Sequence, residues 1–448
     1  MKTLKLLLLT LISFFTLSTQ AQLPDGSIAP DFTLTDVNGT THNLYTYLDS
    51  GYTVFIDLFA VWCGPCWNYK QAGTLDDLYE QHGPTGYPNV LPNTTNDVMV
   101  ISVEGDENPL SCMYGTGCNT YGDWITGNPF PVICTDGTVN NDQITSDYQL
   151  SYWPTIYMIC PDRLTTEVGQ SSSPYSYISS CSPPASNIYD AKALNSNGET
   201  ETCDGTLIPE ITFQNYGLTN LTSLDIEVYK NGTLESTTPW TGNLTTYQID
   251  NVILPTLTNV GSDLIEIKTI NPNGQLDDDL SNNDISFYST LATQNVNINI
   301  TIEITTDRYA SETTWNIKNS SGVVISNGGP WQDLSANGQT IQTPVNVTLD
   351  PLECYTFTIE DTYGDGICCN YGNGSFTVTD ANNTVLALGG GFADSESAMF
   401  KTETITVGIE EINKIQIDNR MFDILGRELT EIPIGVMYIQ NKKLKIIK

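Results

Sequence analysis

The sequence predicts a multidomain chain: an α/β domain at the N-terminal end, then two all-β, sandwich-like domains, and a short β segment at the C-terminal end. Three observations predict it. The 448 residues amount to roughly three domains of ~150 residues each. Apolar segments alternate with helical stretches only upstream of Cys181, the cadence of strands and helices around a covered sheet. Farther along, apolar and polar residues alternate with period two between Asn-Gly turns, as antiparallel strands do.

Composition narrows the functional classes. With 52 Asp and Glu against 17 Lys and Arg, the formal net charge is −35, which repels phosphate backbones and excludes nucleic-acid partners. The apolar share of 39% and aromatic share of 10% are enough to fill cores, so disorder throughout is excluded too. Both histidines, His42 and His82, precede the β-rich part. That part can therefore host neither a histidine-based triad nor a histidine-ligated metal. Eleven cysteines without the paired CxxC motifs of a zinc site suit an oxidising compartment.

Taken in order, residues 1–21 read as a signal peptide. Lys2 and Lys5 precede an apolar run over 6–17, and Ser18-Thr19-Gln20-Ala21 supplies the small-residue cleavage site. The run is too short for the ~20 residues a membrane span needs, and no other segment is apolar enough to cross. The α/β domain occupies 22–183, with strands expected at 53–60, 97–103 and 155–160 and one helix over 67–80. A Pro/Ser-rich stretch at 171–184 closes it.

The chemistry is concentrated in Trp62-Cys63-Gly64-Pro65-Cys66, which follows the apolar strand directly. A thiol at a helix start faces free backbone N–H groups and the positive end of the dipole, which lower its pKa and make Cys63 a usable thiolate. Cys66, one turn on and expected to be better shielded, can attack the mixed disulfide that Cys63 forms. Asp57, in the middle of the strand, would be desolvated, with its pKa raised, and could take the proton of Cys66. Pro154, preceding the strand at 155–160, is a candidate cis-proline beside which an extended substrate could pair with the backbone.

These residues, with Ala29-Pro30-Asp31-Phe32-Thr33-Leu34 upstream, resemble the redoxin-like branch of the thioredoxin superfamily over about 27–181. The resemblance implies Cys63 as nucleophile, Cys66 as resolving thiol, Asp57 as buried acid and Pro154 as cis-proline, with no cofactor required and protein thiols or disulfides as partners. It implies an exported thiol-disulfide oxidoreductase; the alternative is a cell-surface adhesion or binding protein with a structural or accessory redox domain. Two departures stand out. The strand at 98–103 lacks the lysine that often neighbours the buried acid, and 107–150 is longer than a minimal thioredoxin needs.

The other cysteines pair locally by preference, Cys112 with Cys118 and Cys160 with Cys181. Cys354 is expected to join Cys368 or Cys369, while Cys134 and Cys203 stay unassigned. Two β-domains follow at 185–290 and 291–405. The first, through its diffuse pattern over 209–284, resembles the Ig-like modules of bacterial surface proteins. Its acidic run Asp277-Asp278-Asp279 with Asn282-Asn283-Asp284 reads as a solvated loop. In the second, the motif from Asp361 to Gly374 clusters carboxylates, amides and glycines. Such a cluster suits Ca²⁺, with Asp361 and Asp365 as candidate ligands, or else a turn pinned by its cysteines.

The segment 410–448 ends in a basic tail. Its runs at 421–429 and 435–439 resemble the C-terminal sorting domain of type IX secretion cargo. That resemblance implies the type IX secretion machinery as a partner, passage through the periplasm and a final place outside the cell or on the outer-membrane surface.

Overall fold

The computed structural model describes residues 22–404, 420–431, 434–440 and 443–446. The expected signal peptide and the start of the expected sorting segment lie outside the described residues. The chain forms two compact units, Met1–Leu291 and Ala292–Lys448, and each is described by itself.

The first unit is centred on β3 (Thr53–Phe59), whose Val54, Phe55, Ile56 and Leu58 are wholly buried. A strand covered on both faces reads as a continuous apolar run. Around it are the hairpin β1 (Thr33–Thr35) and β2 (Thr41–Asn43), then β4 (Val98–Glu104), β5 (Val132–Cys134), β6 (Thr155–Ile159) and β7 (Thr165–Glu167). The main sheet has the order β5-β4-β3-β6-β7. Its β3, β4 and β5 are parallel, β6 runs against them, and β7, antiparallel to β6, runs with them again. Five helices decorate it: α1 (Leu44–Asp49), α2 (Gly64–Ala72), α3 (Thr74–His82), α4 (Leu110–Met113) and α5 (Gln143–Asp147).

The single helix expected over 67–80 is two. Gly73 takes the left-handed conformation at φ +70° and serves as C-cap of α2 and N-cap of α3, a backbone state that costs glycine little. The helix also starts earlier than periodicity suggested, because Cys63 caps it and Pro65 sits in its first turn.

The rest of this unit is built mainly from two larger sheets on one core, with two short strand pairs beside them. Strands Ile249–Ile253, Glu210–Asn215 and Ala191–Asn195 form one. Thr233–Leu244, Leu221–Lys230, Leu264–Ile270 and Asp284–Tyr288 form the other. Ile211, Phe213, Ile226, Val228, Ile265 and Ile267 pack between them. Asn231-Gly232, at φ +49° and +76°, makes the tight hairpin turn its sequence predicts. Asn273-Gly274 closes a 3-10 turn rather than a hairpin. The acidic run is not a solvated loop either. Asp277 is buried and accepts the Ala191 amide (2.9 Å), and Asp278 accepts those of Ile188 and Tyr189 (3.0 and 2.9 Å). These carboxylates fasten the start of a strand by satisfying its free N–H groups.

In the second unit two five-stranded sheets enclose Trp315, Phe357, Ile359, Phe376 and Phe400. A four-stranded sheet follows, built from Met421–Asp423, Glu428–Leu429, Met437–Gln440 and Lys443–Ile446. Cys112–Cys118 and Cys160–Cys181 are bonded as their spacing suggested. Cys368 and Cys369 join each other, so the expected pairing of Cys354 with either is wrong. Cys354 opens the strand Cys354–Asp361 and the two cysteines follow its far end. At ~3.3 Å per residue the strand separates its ends by about 23 Å, far beyond a disulfide's reach.

Candidate active site

The strand β3 delivers the chain at Ala60 to a short loop, and α2 begins immediately after Cys63. Cys63 is extended at φ −80°, ψ 114°, and its Sγ accepts the amide of Cys66 at 3.1 Å. The sulfur thus occupies the helix-capping position, where the same N–H and the dipole favour a thiolate. Here the two cysteines form a disulfide.

The expected difference in shielding is absent: Cys63 is 3% exposed and Cys66 4%. The cause is the long segment between β4 and β5. Its Trp124 stacks on Phe59 (4.5 Å between ring centres) and meets Trp67 edge-on (4.9 Å). The Tyr121 amide donates to Val61 O, and a methyl group on Gly64 would stand 3.0 Å from the Tyr121 hydroxyl. The Cys112–Cys118 disulfide ties this cover together. Trp62, Tyr121 and Tyr152 remain exposed around it. Tyr121→Ala is therefore expected to speed reduction of the Cys63–Cys66 disulfide by a protein dithiol several-fold, with little change for dithiothreitol. Stopped-flow tryptophan fluorescence reads both rates; equal rates in variant and parent would show that the cover does not limit access.

Asp57 faces Ser102 of β4 across the parallel pair and accepts its hydroxyl at 2.7 Å. Burial pushes the carboxyl up to about 6, opposed by the Ser102 hydrogen bond and by the Lys70 ammonium. Lys70 comes from α2, four residues after Cys66 and so on the same helix face. Its Nζ donates to Asn128 at 2.9 Å, and burial lowers its own pKa. The lysine missing from β4 is thus replaced from the helix. Asp57, Ser102, Lys70, Asp76 and Asn128 share a cavity of about 20 Å³, room for one water. Neither cysteine lines it. Phe59 and Trp124 border the cavity and also belong to the cluster that holds the cysteines.

Pro154 is buried and its bond to Trp153 is cis. Trp153 packs against both core clusters of the domain, including the one that holds the cysteines.

Glu104 escaped the sequence reading. It ends β4 opposite Phe59, fully buried, and accepts Asn108 Nδ2 (2.7 Å), the Asn108 amide (3.2 Å) and the Val61 amide. Burial raises its carboxyl to about 7 despite those bonds. The signal was available: an acid at the end of a strand that is apolar but for Ser102, directly before Gly105. Cys134, the free cysteine among the described residues, is buried, and burial pushes its thiol up to about 11, which makes it inert.

No protein-family profile matches the chain. Over 147 residues, 33% of this chain and 68% of the relative, it is 28% identical to the thiol-disulfide oxidoreductase ResA of Geobacillus kaustophilus. The ResA of Geobacillus thermodenitrificans is 27% identical over the same shares. Among solved structures, the thioredoxin domain of a thiol-disulfide oxidoreductase from Bacteroides vulgatus is 15% identical, with 35% of this chain and 96% of that one covered and a TM-score of 0.26. The sheet order, the capping CxxC and the similarity to the two oxidoreductases together give the N-terminal domain a thioredoxin-like fold, and that similarity supports a redox function for it.

Proposed function

We propose that the chain is an exported protein thiol-disulfide oxidoreductase working through Cys63 and Cys66. The observation that carries this reading is Cys63 Sγ at the capping position of α2, because it favours the thiolate of that one sulfur. In the reduced protein the Cys63 thiolate attacks a substrate disulfide, forming a mixed disulfide and releasing one substrate thiolate. Cys66, its proton passed to Asp57, then attacks Cys63 Sγ; the second substrate thiolate leaves and the Cys63–Cys66 bond forms. Two electrons pass to the substrate, and an external dithiol restores the starting state. Asp57 receives that proton through intervening water, since neither thiol lines its cavity. Pro154 and the exposed Trp62 and Tyr152 border the approach of an extended substrate segment.

The test is catalysis by the chain of dithiol-driven reduction of a protein disulfide. A rate above the uncatalysed one supports the reading, and a rate equal to it removes the reading.

Export rests on the sequence at both ends, and on the same grounds the type IX machinery is the proposed partner. Deleting 410–448 is expected to hold the protein inside the outer membrane while its dithiol reaction is unchanged. Protease accessibility on intact cells measures this, and normal display of the truncated form would contradict it.

A further inference from the structure

Strands Thr313–Asn319 and Cys354–Asp361 pair antiparallel, with Thr313 opposite Asp361, Trp315 opposite Ile359 and Ile317 opposite Phe357. Residues opposite one another share a face. Trp315, Ile359, Ile317 and Phe357 all belong to the core, so the inward face of this pair is apolar until its last rung, where it becomes Thr313 and Asp361. Thr313 is 0% exposed and its Oγ1 has no hydrogen-bond partner. A buried hydroxyl left without a partner costs free energy that a ligand at that spot would recover.

What stands beside it is a set of oxygens. Glu312, Asp361 and Asp365 each bring a carboxylate oxygen within 4.8 Å of the others. Two oxygens bound to one Ca²⁺ at about 2.4 Å are at most about 4.8 Å apart, so one ion can reach all three. Asp361 is fixed by accepting the amides of Tyr363 (3.1 Å) and Gly364 (2.8 Å) on Oδ1. Among the described residues no ion pair involves Glu312, Asp361 or Asp365. The adjacent cation, Arg308, is turned to Asn337 and to the Tyr309 ring.

We propose that this end of the sheet binds one Ca²⁺ through the carboxylates of Glu312, Asp361 and Asp365 and the hydroxyl of Thr313. Oxygen-only donors on a glycine-bearing loop suit a hard cation of flexible coordination. The second unit would then be a metal-stabilised module, in which the ion ties the loop after Asp361 to the strand that starts at Thr313.

Isothermal titration of the full chain with CaCl₂, after removal of ions with EGTA, tests this, together with scanning calorimetry in CaCl₂ or EGTA. One saturable site and a higher transition temperature in CaCl₂ are expected, with Kd on the order of 10⁻⁴ M. Asp361 also holds its own turn, so the informative variants are Asp365→Asn and Thr313→Val. Both are expected to fold, and to weaken binding about tenfold and several-fold, respectively. Superimposable melting curves and no saturable heat in the parent would overturn the site. Binding unchanged in both variants would overturn its assignment to these residues.

Discussion

Replacing Cys63 by serine is expected to lower dithiol-driven reduction of a protein disulfide by on the order of 10³-fold or more, because the attacking atom is lost and nothing else in the domain supplies one. Cys134 is buried and its thiol is raised, while Cys112 and Cys160 are already bonded. Cys66→Ser fails differently. Its Cys63 still caps α2 and still attacks, but the mixed disulfide has no resolving thiol and accumulates. Mass spectrometry of the alkylated mixture distinguishes the two outcomes. A Cys63→Ser chain as active as the parent would move the chemistry elsewhere.

Asp57→Asn is expected to make the chain more stable at neutral pH and a slower catalyst. The carboxyl sits at about 6 in the fold against an ordinary value of 3.8, so the folded state holds its proton more tightly than the unfolded chain does. Its contribution is therefore fully favourable below about pH 4 and is lost as pH rises to about 6, a cost of up to about 3 kcal/mol that persists above. Asparagine can still accept the Ser102 hydroxyl and carries no charge, so the variant should gain that amount at pH 8 and nothing relative to its own baseline at pH 4. Denaturant unfolding at the two pH values measures it. Glu104, raised to about 7, leaves a similar downward slope in the variant, over a window reaching about pH 7. Turnover at pH 7 should fall about 10²-fold, since an acid near 6 is mostly ionised there and ready to take a proton. Equal stability at pH 8 would show that Asp57 is not desolvated as its surroundings imply.

The sequence carried the site better than its setting. A CxxC placed directly after a continuous apolar strand determines where the helix starts, and an acid inside that strand must be at least half-buried, so the placement of Cys63, Cys66 and Asp57 was legible from local pattern alone. Pro154 was legible as a position. Lys70 was not, because its role depends on α2 leaning back over the sheet, which no local period reports. The cover over the thiols was hidden for a similar reason: Tyr121 and Trp124 lie in a segment without periodicity, and only tertiary packing brings them onto Gly64, Phe59 and Trp67. The helix break at Gly73 fell to a single residue whose left-handed state competes with an otherwise helical pattern. In the acidic run, charge density suggested solvent, whereas Asp277 and Asp278 are spent on backbone amides of a neighbouring segment nearly ninety residues earlier in the chain. The pairing of Cys368 with Cys369 overrode a spacing argument, because strand length rather than sequence separation determines what Cys354 can reach.

The central claim is that Cys63–Cys66 is an exchangeable disulfide and not a fixed staple. The direct measurement is its reduction potential in the full chain, by equilibration in thiol-disulfide buffers, alkylation and peptide mass spectrometry. The same sample reports Cys112–Cys118 and Cys160–Cys181. A potential between about −270 and −120 mV, the range of dithiol exchange proteins, is the predicted result. A value below about −300 mV, as for structural disulfides, would contradict it.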